Sequence, residues 1–337
     1  MNSMADFGNM RLWLREAAKA ESRGTLPILS APGAGLIGVS LRALTENSDL
    51  QAEAITAVKR RWGAVAAVGL MDLSVEAEAF GSKVHFAEDE IPTVTGRLVE
   101  DAEGAERISV PPIGAGRTGI YINAVRKAAE RIDDRPVFAG MIGPYSLAAR
   151  LFGVPESMMA CYDEPETVEL LLSKATEFLI AYARAYKETG ARGILMAEPV
   201  AGMLSPMLEE EFSAPYVKQI VDAVQDDHFL VIYHNCGDNA ARMLPSILST
   251  GAAAYHFGNA VDMAEVLGKV PDDVIVMGNL DPVGVLFSGT PEDVRKGTQA
   301  LLELKCGRNN FILSSGCDIP PGAPRENLDA FFAAAKA

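Results

Sequence analysis

The chain has 337 residues, 49% of them hydrophobic and 22% charged, a balance typical of a globular protein rather than a disordered one. Its net charge of −15 argues against a nucleic-acid partner, because holding phosphates requires a Lys/Arg surplus on at least one face. The longest apolar stretches are strand-sized, far short of the ~20 residues that span a bilayer, so no membrane partner is expected.

The N-terminus, residues 1–24, mixes charges into its apolar positions and lacks the apolar core of a signal peptide. It reads as an amphipathic helix ending near Gly24, and the chain as cytoplasmic. In that reducing setting the four cysteines (Cys161, Cys236, Cys306, Cys317) are small core groups, metal ligands or nucleophiles rather than a disulfide scaffold.

Eight short apolar runs follow in chain order, at 25–31, 64–72, 136–144, 191–199, 229–237, 252–259, 274–282 and 311–318. They are rich in Val, Ile and Leu without alternation, the pattern of strands buried on both faces. Helical periodicity predicts helices over 164–190, 205–225, 239–251, 291–307 and 323–335. Strand–helix alternation predicts a parallel sheet, and eight units predict an α/β fold closed into a (β/α)8 TIM barrel. The reading is one domain over 1–337, with a long polar insertion after the second strand at 73–135 forming a flap over one end.

In such barrels the working residues sit at the C-terminal ends of the strands. Those ends carry Asp72, Tyr145, Glu198, His234, Cys236, His256, Asn279, Asp281 and Cys317. In His234-Asn235-Cys236 the outer two residues point the same way on an extended strand, and Cys317 projects from the eighth strand end toward the same mouth. One imidazole and two thiolates suit zinc, with a coordination position left for substrate, and Glu198 is the candidate for a fourth ligand. The alternative on spacing alone is two buried cysteines and a hydrogen-bonded histidine. Cys161 and Cys306 read as core residues, His85 and His228 as solvated or structural. His256 either lines the barrel or packs, and Asp281 either serves the site or caps the following helix. A competing signal is Gly33-Ala-Gly35-Leu-Ile-Gly38, which fits a dinucleotide-binding turn after a strand but lacks the acidic residue about 20 positions on.

His234-Asn-Cys236-Gly-Asp, the distal Gly316-Cys317, Met141-Ile-Gly-Pro-Tyr-Ser-Leu-Ala148 and Asp72-Leu-Ser-Val-Glu-Ala-Glu-Ala-Phe-Gly81 together resemble the uroporphyrinogen decarboxylase-like superfamily, more narrowly its zinc-dependent corrinoid methyltransferase branch. The resemblance covers nearly the whole chain from about residue 25. It implies the barrel fold, zinc held by His234, Cys236 and Cys317, and Glu198 as a ligand that substrate displaces, with Glu198 and Asp281 catalytic. It also implies substrate contacts from Tyr145, Asp72, His256 and Asn279. The segment Ser30–Gly38 departs from the true decarboxylases, which place an Arg-rich signature there to hold porphyrinogen carboxylates. A corrinoid-binding Asp-x-His-x-x-Gly motif is absent, so the cobalamin is expected on a separate corrinoid protein. The resemblance favours demethylation of aromatic methyl ethers; the alternatives are methylation of a thiol such as coenzyme M, a dinucleotide-dependent oxidoreductase, and a purely structural zinc.

Overall fold

The computed structural model describes residues 7–20 and 24–336; the parts of the expected N-terminal helix at 1–6 and 21–23 lie outside them. Strands form at β1 (Ala67–Val68), β2 (Lys83–His85), β3 (Thr93–Thr95), β4 (Val137–Ile142) and β5 (Gly193–Ala197), then β6 (Leu230–Asn235), β7 (Ala254–Phe257), β8 (Ile275–Leu280) and β9 (Phe311–Ser315). Seven of them make one curled sheet in the order β1-β4-β5-β6-β7-β8-β9, every neighbour parallel. These are seven of the eight expected strands. The first expected strand, 25–31, is not a named strand, but Thr25 bridges Leu313 in parallel and the Thr25 carbonyl accepts from Val65 N at 2.9 Å.

Two apolar layers follow from the two faces of these strands. Leu230 and Ile232, Ala254, Ile275 and Met277, and Ile312 turn into the curl, while the helix Met10–Lys19 brings Met10, Leu14, Ala17 and Ala18 against them from the N-terminal side. That helix starts at Asn9, whose side chain accepts from Leu12 N, a regular N-cap. Val231, Tyr233, Tyr255, Val276 and Phe311 face the surrounding helices instead. The alternation carries an important consequence. The inward series Leu230, Ile232 continues to His234, Ala254 to His256, and Ile312 to Ser314, so the last inward layer is polar.

Several helices differ from the sequence expectation for local reasons. The single helix expected over 205–225 is two, Pro206–Phe212 and Ala214–Val224, broken at Ser213 with a proline opening each piece; proline suits a first turn but not a helix interior. Within 73–135 the structure forms the helix Val75–Phe80, the β2–β3 hairpin, the helix Ala102–Arg107 and a longer helix Thr118–Arg131. The last buries Tyr121, Ile122 and Val125 in the main core, so it is a regular layer helix before β4.

Candidate metal centre

His234 is the next-to-last residue of β6, on an inward position, and Cys236 follows just past the strand end, its ligand atom within reach of the His234 ring. Gly258 lets the loop after β7 pass against Cys236, where a Cβ would come within 2.7 Å of the cysteine Cβ. Cys317 lies two residues past β9. One ligand atom from each of His234, Cys236 and Cys317 falls within 4.8 Å of the others, and Cys317 Sγ is 3.5 Å from His234 Nε2.

The protonation of His234 follows from its neighbours. Ser314 Oγ donates to the Leu26 carbonyl at 2.7 Å, so it accepts from His256 Nε2 at 2.7 Å. That leaves His256 Nδ1 as an acceptor, 2.8 Å from His234 Nδ1. The same His234 nitrogen lies 3.3 Å from the His256 carbonyl, which can only accept. The His234 proton is therefore on Nδ1, and its Nε2 lone pair faces the two thiols. Burial holds His256 well below the usual histidine range, and His234 beside it acts in the same direction, which suits a neutral relay. A metal-bound histidine is held by its second nitrogen in this way.

The two thiols are hydrogen-bonded to one another. The Cys317 hydrogen bond eases ionisation of Cys236, and the Cys236 hydrogen bond together with burial pushes Cys317 up to about 12. A second ionisation needs a nearby cation, and none of the cavity-lining residues is Lys or Arg: these are Ile28, Met71, Leu73, Ala197, Pro199 and Asp318 besides the trio. With Zn–N near 2.0–2.1 Å and Zn–S near 2.3 Å, tetrahedral ligand atoms sit about 3.5–3.8 Å apart. The trio therefore fits a zinc ion in spacing, donor chemistry and missing charge.

The other expected site residues are elsewhere. Glu198 is fully buried and stands outside the trio. Its oxygens accept from Tyr145 N, Ser146 N and Ser146 Oγ at 2.8, 2.9 and 2.6 Å, which ties the start of the helix Pro144–Phe152 to the end of β5. Burial raises it to about 7. Tyr145 points into an apolar cluster, its hydroxyl 3.6 Å from Cys161 Sγ. Asn279 Nδ2 donates to the Gly258 and Val261 carbonyls at 2.9 and 2.7 Å, fixing the loop that backs Cys236. Asp281 accepts from Val283 N and Gly284 N, the capping role. Asp72 is paired with Arg117, Tyr121 and Ser74. His256 supports His234 rather than lining the cavity. Gly33–Ile37 is a five-residue helix ended by Gly38 at φ 73, and a Cβ on Gly33 would meet Ala54 and Val58; the glycine motif serves packing. Cys306, His85 and His228 are exposed and Cys161 is buried.

Three contributing residues escaped the sequence reading: Ser314, Asp318 and Ser30. Ser314 had a signal, a polar residue at an inward position of an otherwise apolar strand. Asp318 faces the cavity, and burial beside Cys317 holds its carboxyl well above the usual range. Ser30 Oγ donates to both its oxygens at 3.1 and 3.2 Å.

A parallel sheet that gathers reactive side chains at the C-terminal ends of its strands defines the class, an α/β enzyme with its site at that end. The family model for uroporphyrinogen decarboxylase matches residues 26–337, and the chain belongs to that family. It is 31% identical over 269 residues to a protein of Methanosarcina acetivorans named methylcobamide:CoM methyltransferase MtbA, covering 79% of this chain and 77% of that one. A uroporphyrinogen decarboxylase of Synechococcus sp. (strain CC9605) is 34% identical, over 57% of this chain and 56% of its own. A solved structure described as a methyltransferase from Methanosarcina mazei superposes with a TM-score of 0.84 at 26% identity, covering 97% of this chain and 98% of that one.

Proposed function

We propose that this enzyme is a zinc- and corrinoid-dependent methyltransferase that moves a methyl group from a methylated corrinoid, brought as substrate by a partner protein, to the sulfur of a small thiol. The observation that carries this reading is the convergence of His234, Cys236 and Cys317 on one cavity wall, with the Nε2 lone pair of His234 turned toward the thiols. A zinc ion held there supplies a cationic centre that keeps a thiol deprotonated near neutral pH. His256 and Ser314 hold His234 in its ligand tautomer, while Ile28, Met71, Leu73, Ala197 and Pro199 exclude water from the cavity. The thiolate sulfur then attacks the methyl carbon; the S–C bond forms as the Co–C bond breaks, and the electron pair stays with cobalt.

The cavity is small, ≈ 80 Å³, against about 150 Å³ for an apolar cavity that takes up benzene. That size supports a thiol of a few heavy atoms over an aromatic methyl ether, and the relative from M. acetivorans is named for coenzyme M methylation. Porphyrinogen decarboxylation is disfavoured by a cavity wall without Lys or Arg, where bound carboxylates would lose water uncompensated. We read the chain as a single cytoplasmic domain over 1–337. Thr25–Ile28 takes the eighth place in a closed barrel, and the first part of 73–135 roofs its end; the hydrogen bonds of Thr25 and Leu26 to both sheet edges support closure. Among the described residues no helix is long and apolar enough to cross a membrane.

The test measures metal content and methyl transfer together. The wild type should hold about one zinc per chain and convert methylcobalamin to cob(I)alamin when given a small thiol, followed by the visible spectrum. Cys317→Ser should lose the metal and at least about 1,000-fold in rate, which is more than 4 kcal/mol of barrier. A wild type that takes up no zinc when supplied with it sinks the proposal.

A further inference from the structure

Among the described residues three buried asparagines, Asn279, Asn310 and Asn327, each donate to two backbone carbonyls, and one of them does so beside the metal centre. Asn310 Nδ2 donates to the Pro271 and Val274 carbonyls at 3.4 and 3.2 Å, holding the segment before β8 at the N-terminal end of the sheet. Asn327 Nδ2 donates to the Leu286 and Gly289 carbonyls at 3.1 and 2.8 Å. Asn279, within β8, makes the shortest pair, to the Gly258 and Val261 carbonyls at 2.9 and 2.7 Å.

The loop that Asn279 holds meets both cysteine-bearing segments. Gly258 lies so close to Cys236 that a Cβ on it would come 2.6 Å from the cysteine Cα. The next residue, Asn259, packs against Gly316, where a Cβ would come 2.6 Å from Asn259 N. Gly316 directly precedes Cys317, and its N–H donates at 2.7 Å to the carbonyl of Leu280, the neighbour of Asn279. Each contact is made by a glycine, with no side chain to give way, so a shift of the loop moves one sulfur relative to the other.

Resting on the zinc reading, we propose that Asn279 is a positioning residue of the metal centre: by fixing the loop 258–261 it sets the separation of the Cys236 and Cys317 sulfurs before a metal enters. Its amide is engaged by the two carbonyls, so it acts on the metal through the loop. Ligand atoms already held in place lose little freedom when an ion binds, and the clamp thereby raises affinity.

The test compares Asn279→Ala with Asn310→Ala and Asn327→Ala, which lose the same pair of bonds to other segments. Zinc affinity is measured by chelator competition on folded protein, and the cobalt(II) form is followed through its sulfur-to-cobalt charge-transfer and d–d absorption. Asn279→Ala should bind zinc at least roughly tenfold more weakly than wild type and show an altered cobalt spectrum. Asn310→Ala and Asn327→Ala should melt earlier than wild type yet keep its zinc affinity and its spectrum. Asn279→Ser, a milder change that retains a hydroxyl donor, should fall between wild type and Asn279→Ala, and it decides the question if the alanine variant does not fold. A loss of affinity in Asn279→Ala no larger than in Asn310→Ala overturns the proposal, as does an unchanged cobalt spectrum. A wild type that takes up neither zinc nor cobalt defeats the metal reading and this inference together. Metal bound as tightly by Asn279→Ala as by wild type defeats this inference alone.

Discussion

Two buried polar clusters lie at the C-terminal ends of the strands, and they differ in whether the chain supplies a cation to them. At the end of β1, Asp72 accepts from Arg117 Nη1 at 2.5 Å, from the Tyr121 hydroxyl at 2.7 Å and from Ser74 Oγ at 2.6 Å. Arg117 also reaches Glu78 and Ser74 and lies over the Phe86 ring. Both carboxylates there, Asp72 and Glu78, are paired with a cation of the chain, the shared Arg117. Around His234, Cys236 and Cys317 the opposite holds: two hydrogen-bonded thiols and an imidazole nitrogen meet one another, and no Lys or Arg among the described residues lines the cavity. A cluster with its own cation is self-sufficient in holding the fold, whereas one of thiols and imidazole without a cation has the chemistry to accept one from outside.

That contrast can be broken by experiment. The largest effect should come from Arg117→Met, which leaves Asp72 buried without its cation and should cost about 3–5 kcal/mol in chemical denaturation, with zinc per folded molecule unchanged. Zinc lost in proportion would mean that the cluster serves the metal as well as the fold. A smaller and opposite pattern is expected of Ser314→Ala. Without its acceptor, His256 no longer fixes the proton on His234 Nδ1, and zinc affinity should fall about 10- to 100-fold by chelator competition, with little change in melting temperature. The smallest effect concerns another buried acid, Glu209, where burial lifts the carboxyl to about 7 and Ser246 is its hydrogen-bond donor. Its folded pKa lies above the unfolded value near 4.3, so the native state binds the extra proton. Its stabilising contribution is complete below about pH 4.3 and is lost as pH rises through about 7. Glu209→Gln should therefore flatten the fall of melting temperature between pH 5 and 7.5; an unchanged slope assigns that fall to other groups.

The strands and the shared direction of His234 and Cys236 were legible for the same reason, because both follow short-range alternation. His-x-Cys on a buried strand points two ligands one way whatever surrounds them. What it left unread depends on partners far along the chain. Asp72 looks like a site residue until Arg117, 45 positions away, is seen to neutralise it. Glu198 resembles a ligand until the amides of Tyr145 and Ser146 fill its oxygens. Asp281 caps a turn, which a strand-end position cannot distinguish from catalysis. The opposite error was Ser314, whose inward parity was readable, and Asp318, whose role emerges only when the loop after the first apolar run folds beside it. The break at Ser213 was legible too, since Pro215 sits where one long helix would have its interior.

The helix Met10–Lys19 lies across the N-terminal end of the sheet, with Met10 and Leu14 buried among the inward residues. The helix thus covers the end of the sheet away from the site, and both guests in the proposed reaction approach at the other end. A protein-borne corrinoid seated there closes the entrance behind whatever is already inside. The small thiol accordingly has to be first in the queue and its methylated form last to leave, so the architecture of the floor dictates the order of events at the ceiling.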